Sequence, residues 1–373
     1  MTILAVATPS TTHAVAAVDT GAGDMKFTVL TTLGEHGAGE ASALPKVRSF
    51  RAIAPMVGTT LEQGGALGTA DVKQVRVGEH CFAVGPDAHL FARAADYFGR
   101  DTTYARTDEY LALTVGALAY GGYRRLRQLV IGLPLSTYWS LRREVGERLT
   151  GSHAVGGHAI EIEQVLVVPQ GYGALLHYTG TRPELHLDEA NTLVLDLGYH
   201  TLLSLVLQEG NFVRARSNVV SGGMSAVYAK LDQALGDHFL REHGQAFSFR
   251  NRLHLYGRAL AMDEPQISTN AGAQLLEPFY PAMREAVRAQ MSSVLQTVGD
   301  MSDIRHVVLA GGGAWLLAQA LALYRDAPRS VVYERDSAVL ANVWGYYEEG
   351  VARVAELDGH AGDGHEATRE QAA

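Results

Sequence analysis

VDTGAGDMKF, residues 18–27, starts as an apolar strand, spends two glycines and two aspartates on a turn, and then returns to apolar character. Residues 14–18 and 27–31 read as the two arms of a β-hairpin. A glycine turn at a strand end lets backbone N–H groups approach an anion closely, because no side chains stand in the way. In Asp19, Thr20, Gly21, Ala22 and Gly23 such donors would meet phosphate oxygens, while the Asp19 carboxylate holds water around a magnesium ion. Lys26 lies on the returning strand, where its amine would reach the same phosphates.

The pattern occurs again. TLVLDLGYHT, residues 192–201, is strand then glycine turn, and LLSLVLQEGNFVRAR continues it as a hairpin that bends near Glu209 and Gly210. Asp19 and Asp196 stand 177 residues apart (196 minus 19), which reads as an internal duplication. Asp196, Gly198, Tyr199, His200 and Thr201 would supply the facing half of a phosphate clamp. The plainer alternative is a pair of ordinary hairpins with glycine bends. Their recurrence in matching positions favours the clamp.

Composition narrows the function. A chain of 373 residues is long enough for two domains, and 47% apolar with 19% charged residues describes a globular protein rather than a disordered one. The net charge of -9 argues against a broad basic face for bare nucleic acid, so any link to DNA would run through a partner. A Walker-type loop needs lysine directly after its last glycine. The four lysines follow Met25, Pro45, Val72 and Ala229, which excludes that class. HExxH, GxSxG and cysteine-histidine ligand spacings are also missing from the sequence.

Cys81 is the single cysteine, so intrachain disulfides are excluded and a reducing cytoplasm is expected. Residues 1–13 carry no basic leader and read as an N-terminal extension. The longest apolar window, 307–324, contains three adjacent glycines and Gln319, which divide it into strand, turn and helix rather than a membrane span.

Further elements follow from periodicity and turn residues. A hairpin over 75–84 should turn at Gly78 and Glu79, with helices over 107–120 and 137–149 and strands at 128–132 and 164–168. The stretch 181–191 reads as a connector and the favoured lobe boundary. Helices are expected over 224–242, 251–262, 282–298 and 337–354, with a strand at 306–310 running into Gly311, Gly312 and Gly313. The residues from 356 onward are polar and small, and read as a disordered tail.

Five segments in order then resemble the actin-like ATPase superfamily, and within it most closely the ParM/StbA plasmid-segregation proteins and their archaeal actin-like relatives. Asp19 to Lys26 resembles the first phosphate motif and Asp196 to Thr201 the second. VVPQGYGAL at 167–175 resembles the first connecting segment, and VVLAGGGAWLL at 307–317 the adenosine motif. DSAVLANVWGYYEEG at 336–350 resembles the second connecting helix, with the Ala-Asn-x-x-Gly pattern common in the ParM-like branch. VGEHCFAVGPDA and VIGLPLSTY also look like segments of that branch. The resemblance spans residues 14–355.

The resemblance implies an α/β, two-lobed actin/Hsp70-like fold, a duplicated ribonuclease H-like architecture with a nucleotide cleft between lobes. Lobe I would cover 14–185, with a small inserted subdomain around 45–105, completed by the helix at 335–355. Lobe II would cover 186–334. It implies ATP or ADP as ligand with magnesium held through water by Asp19 and Asp196, and Gln170 beside the attacking water. Gln170 could instead simply end a strand after Pro169. Gly311, Gly312, Gly313 and Trp315 would meet ribose and adenine, with Gly222 and Gly223 approaching the phosphate or sugar side. The second turn departs from the family in carrying Tyr199 and His200 where relatives favour small or polar residues.

The function implied is a cytoplasmic ATPase that polymerises into filaments to move or position plasmid DNA. It would act through a centromere-binding adaptor, without binding DNA or membrane directly. Small-molecule kinases of the same superfamily and a non-polymerising nucleotide-dependent switch are the alternatives.

Overall fold

The structure, a computed structural model, describes residues 15–30, 44–58, 70–93, 103–248, 253–269, 272–323 and 330–370, with side chains up to 358. The N-terminal extension at 1–13 lies outside the described residues. The chain divides into two compact units, one of residues 1–133, 137–169 and 343–373, the other of residues 134–136 and 170–342.

The first unit is built on a nine-stranded sheet. Its strands are β1 (Val15–Thr20), β2 (Asp24–Thr28), β3 (Val47–Arg51), β4 (Met56–Val57), β5 (Lys73–Val77), β6 (His80–Val84), β7 (Arg125–Leu133), β8 (Gly151–Val155) and β9 (His158–Pro169). They lie in the order β3-β2-β1-β7-β9-β8-β5-β6-β4. β1, β7 and β9 are parallel neighbours, and the other pairings are antiparallel. β1 is buried at every residue, as small and β-branched side chains permit in a parallel strand covered on both faces. Helix α1 (Asp108–Tyr120) starts where the Thr107 hydroxyl accepts from the Tyr110 N–H, with Asp108 and Glu109 favouring the positive end of its dipole. Helix α2 (Leu135–Leu149) connects β7 to the β8–β9 hairpin.

The second unit carries β10 (Thr192–Leu197), β11 (Thr201–Gln208), β12 (Asn211–Phe212), β13 (Asn218–Ser221), a separate two-stranded ribbon of β14 (Gln266–Thr269) and β15 (Gly272–Leu275), then β16 (His306–Ala310) and β17 (Ser330–Val332). The main sheet runs β12-β11-β10-β16-β17, with β13 also paired to β11. Its helices are α3 (Tyr172–Thr181), α4 (Gly223–His243), α5 (His254–Leu260), α6 (Tyr280–Val298) and α7 (Ala314–Leu321). One hydrophobic cluster joins Leu195, Val307 and Leu309 of the sheet to Leu231, Val287 and Leu316 of α4, α6 and α7. A second cluster joins Val194, Leu203 and Leu205 to Ala174, Leu175 and Tyr178 of α3. Such two-faced burial is what lets short apolar strands form a core.

The duplication inferred from the two aspartate turns is present in the topology. In each unit an all-buried or nearly buried strand, β1 or β10, carries aspartate as its fifth residue and pairs antiparallel with the next strand. On its other side it pairs with a parallel strand, β7 or β16, which pairs in parallel with one more, β9 or β17. After that last strand the chain leaves its unit. β9 is followed by α3, which belongs to the second unit, and β17 by helix α8 (Ala341–Glu370), which belongs to the first from Val343 onward.

This exchange corrects the boundary expected at 185/186. The chain passes over after Pro169, because the apolar side of α3 is buried on β10 and β11. The segment 45–105, expected as a small insertion in lobe I, belongs to the first unit. Its described residues supply β3 to β6 of the same sheet, through β3 on β2 and Val75 opposite Val155, while residues 59–69 and 94–102 lie outside the described ones. α8 continues to Glu370 where composition predicts a disordered tail from 356. Gly359, Gly362 and Gly364 in that stretch are weak helix formers, which is the basis of the expectation, and α8 runs through them. No described helix is long and apolar enough to cross a membrane.

Candidate functional site

The first turn hangs from β1 and β2. Asp19 and Lys26 are directly opposed in the register, and Lys26 Nζ donates to Asp19 Oδ2 at 3.0 Å. Gly21 has a structural reason of its own, since a Cβ there would stand 2.6 Å from the Asp24 carbonyl oxygen. The Gly23 carbonyl accepts from Ala52 N–H at 3.0 Å, which ties the turn to the end of β3. Tyr110, on α1, lies beneath Thr20 and Asp19. Burial pushes its phenol above the ordinary range, the Thr20 hydroxyl works the other way, and the Asp19 carboxylate adds to the rise, so the phenol remains a neutral O–H.

The second turn is held from behind by α4. Met224 N–H donates to the Gly198 carbonyl at 2.8 Å, Ser225 N–H to Tyr199 at 2.8 Å, and Gly222 N–H to His200 at 2.7 Å. Gly223, with φ of +51°, permits this contact, because a Cβ would fall 2.5 Å from Thr201 N and 2.6 Å from the Gly198 oxygen. Gly222 and Gly223 thus dock a helix on the turn, a packing role in addition to the ligand approach expected of them. Tyr199 packs against Tyr228 and joins the helix-side core, with His200 edge-on to it at 4.7 Å and 3.4 Å from Ser225 Oγ. Gly198 N–H donates to the Thr201 carbonyl across the turn at 3.0 Å.

The three glycines after β16 divide their work. Gly311 (φ +83°) leaves room for Asp196, whose Oδ1 would be 2.4 Å from a Cβ, and its N–H donates to the Ala338 carbonyl at 3.0 Å. Gly313 lies on Leu197 and Met224 and donates to the Leu197 carbonyl at 3.1 Å. Gly312 is exposed, with no atom within 4 Å of where its Cβ would be, and is the member of the three open to a ligand. Trp315, the second residue of α7, is half-buried. It meets Tyr280 at 5.3 Å between ring centroids and lies under the Arg335 guanidinium at 5.7 Å, an arrangement that offers a flat aromatic face with a cation beside it.

Gln170 occupies the turn between β9 and α3 and is half-buried. The residue after it, Gly171, is the N-cap of α3 at φ +84° and has no side chain to cap with. Asn342 supplies the missing acceptor from a distant point in the chain. Its Oδ1 accepts from Gly171 N–H at 3.2 Å and Ala174 N–H at 3.1 Å, and its Nδ2 donates to Asp196 Oδ2 at 2.6 Å. The structure therefore brings Asp196, Gly311, Asn342 and the backbone beside Gln170 together in the second unit, and Asp19, Thr20 and Lys26 with Tyr110 in the first. The sequence motifs contain Asn342, in the Ala-Asn-x-x-Gly pattern, without giving it a role, and they miss Tyr110. A lone asparagine inside the apolar run Ala338 to Trp344 is the available signal for the first, because a buried polar residue is informative where a buried leucine is not.

Duplicated strand order, an aspartate on a glycine turn in each copy, and helices exchanged after the last parallel strand make this the actin-like fold. Residues 17–173 match the family model for the N-terminal domain of actin-like proteins. Among solved structures, the chain is similar to Ta0583, an archaeal actin homologue, with 18% identity over 90% of this chain and 98% of that one at a TM-score of 0.64. Alp7A, an actin-like protein, aligns at 13% identity over 95% and 99%, with a TM-score of 0.66. ParM from Clostridium botulinum, solved as a 15-stranded filament, aligns at 18% identity over 91% and 99%, with a TM-score of 0.62. No curated protein matches the chain by sequence.

Proposed function

We propose that this chain is an actin-like ATPase that binds Mg-ATP at its two aspartate turns and polymerises into filaments, moving or positioning plasmid DNA through an adaptor in the cytoplasm. The observation that carries the reading is the recurrence of aspartate at the fifth residue of β1 and β10, each at the lip of a glycine turn. An archaeal homologue of the same fold has been solved with ADP, and a ParM relative as a filament.

The residues present suit a magnesium nucleotide. No three His, Cys, Asp or Glu side chains gather as a metal cage among the described residues. Magnesium on a nucleotide needs none, since it keeps several waters and takes one or two carboxylates besides the phosphates. Asp19 and Asp196 would hold it, and it would neutralise charge on the phosphates. Lys26, already fixed by Asp19, adds a cation beside the first turn, and Gln170 orients water for attack on the terminal phosphate. Phosphoryl transfer asks for little else, because positioning and charge stabilisation dominate it. Trp315 and Arg335 beside exposed Gly312 suit a flat base.

Head-to-tail contact between identical subunits need not close into a ring, so filaments follow from one heterologous interface. With a net charge of -9, purified protein should leave random duplex DNA unbound at physiological salt. Sedimentation with ATP, ADP and no nucleotide, with phosphate release recorded in parallel, tests the whole reading. ATP-dependent pelleting with turnover is expected. Turnover that depends strictly on a small acceptor would instead identify a kinase, and ATP-driven partner binding without turnover a switch.

A further inference from the structure

Asn342 is 5% exposed and spends its side chain in two opposite directions. Its amide oxygen faces two N–H groups, so the NH₂ group must face the Asp196 carboxylate and the amide cannot be turned over without losing all three bonds. The two ends of this bridge are chemically different. On one side is the first turn of α3, where an oxygen on the N3 amide at Ala174 does what a Ser or Asp N-cap ordinarily does. On the other side is a carboxylate whose second oxygen lies against Gly311. The position in the chain is equally specific: the second unit begins its long stretch at Gln170 and ends it at Asn342.

We propose that Asn342 is the positioning residue of the site, one amide that sets both the Asp196 carboxylate and the turn carrying Gln170. The proposal rests on the ATPase reading above for its catalytic meaning. Without Asn342 the carboxylate would lose the donor that sets its orientation and α3 would fray at its first turn, moving the backbone next to Gln170. A side chain that orients a metal-holding carboxylate typically contributes 10- to 100-fold in activity or metal affinity.

Asn342→Asp separates the two tasks. An aspartate keeps an acceptor for Gly171 and Ala174, and a negative charge suits a helix N-terminus, so α3 stays capped. It replaces the donor to Asp196 with a second carboxylate, so that bond is lost. The experiment measures kcat and KM for ATP, thermal unfolding, and hydrogen exchange at the Gly171 and Ala174 amides, on wild type, Asn342→Asp, Asn342→Ala and Asp196→Ala. The expected result for Asn342→Asp is wild-type exchange at Gly171 and Ala174, an unfolding midpoint lowered by the like charges now facing each other at Asp196, and kcat per folded molecule lowered roughly tenfold or more with KM changed by less than about threefold. Asn342→Ala should lose kcat and exchange protection together. Asp196→Ala should raise exchange at Ala174, on the far side of the bridge.

Wild-type kcat in Asn342→Asp, or losses in both variants that merely follow the folded fraction, would overturn the proposal. So would unchanged Ala174 protection in Asp196→Ala, which would make the two ends independent. A wild-type protein that turns over no nucleotide would sink the ATPase reading instead, and the Ala174 exchange result would then decide the positioning claim alone.

Discussion

Lys26 Nζ lies 3.0 Å from Asp19 Oδ2 across the first pair of strands, and both side chains are largely buried, at 15% and 7% exposure. Removing one partner of such a pair leaves the other charge desolvated and uncompensated, which costs more than the pair itself contributes. Lys26→Met keeps the apolar stem and deletes the charge. It should lower unfolding free energy in urea by about 3 kcal/mol and weaken ATP binding at least tenfold. A change in stability below about 0.5 kcal/mol would show the pair to be hydrated in solution.

Gly311 and Gly312 are adjacent and should answer differently to the same substitution. Gly311→Ala puts a Cβ 2.4 Å from Asp196 Oδ1 at a φ of +83°, so strain and overpacking combine and about 2–4 kcal/mol of stability should be lost. Gly312→Ala meets no atom within 4 Å and should leave stability within about 0.5 kcal/mol of wild type. If a nucleotide passes over Gly312, its affinity for ADP should nevertheless fall, as isothermal titration would register. Unchanged affinity would remove Gly312 from the site.

Gln170 is assigned to water rather than to nucleotide, so Gln170→Ala should bind ATP like wild type and hydrolyse it far more slowly. Misaligned water at comparable phosphoryl-transfer sites costs several kcal/mol of barrier, on the order of a hundredfold or more in rate. Assembly driven by the ATP-bound state would survive the substitution. Light scattering after a limiting ATP pulse should then show polymers that outlast those of wild type. Normal phosphate release would transfer the role to another residue.

His306, at the start of β16, is buried, and neither ring nitrogen has a partner among the described residues. Burial chiefly, and the Arg305 charge secondarily, hold its pKa below the ordinary imidazole value. A lowered folded pKa means that the unfolded chain binds the proton more tightly. The stability involved is present above the unfolded value near 6.5 and is lost as pH falls through it toward the folded value. The urea midpoint should therefore drop between pH 7.5 and 5.5, and His306→Gln should flatten that slope. An equal slope in the variant would assign the pH dependence elsewhere.

Much of this protein is legible in its local chemistry. Gly78 marks the β5–β6 turn and Gly210 the β11–β12 turn, because glycine takes the left-handed backbone of a tight hairpin between apolar arms at low cost. The helices at 108–120, 223–243 and 280–298 lie within two residues of where apolar periodicity puts them. The Asp19 and Asp196 turns announce the duplication because both sit at strand ends, where spacing along the chain and position in the sheet coincide.

What sequence alone determined, then, was the set of elements, the two aspartate turns and the resemblance they support, since each depends on residues within one turn or one strand of each other. Tertiary structure decided the rest. It assigned α3 to the second unit through Ala174, Leu175 and Tyr178, made residues 45–58 and 70–84 part of the first sheet, and gave Gly222 and Gly223 a helix-docking role. It also placed Asn342 between Asp196 and the turn after Gln170, residues 146 and 171 positions away along the chain. No local pattern records such pairings, because burial and hydrogen bonding act on distance in space, and only the folded chain brings those atoms within reach.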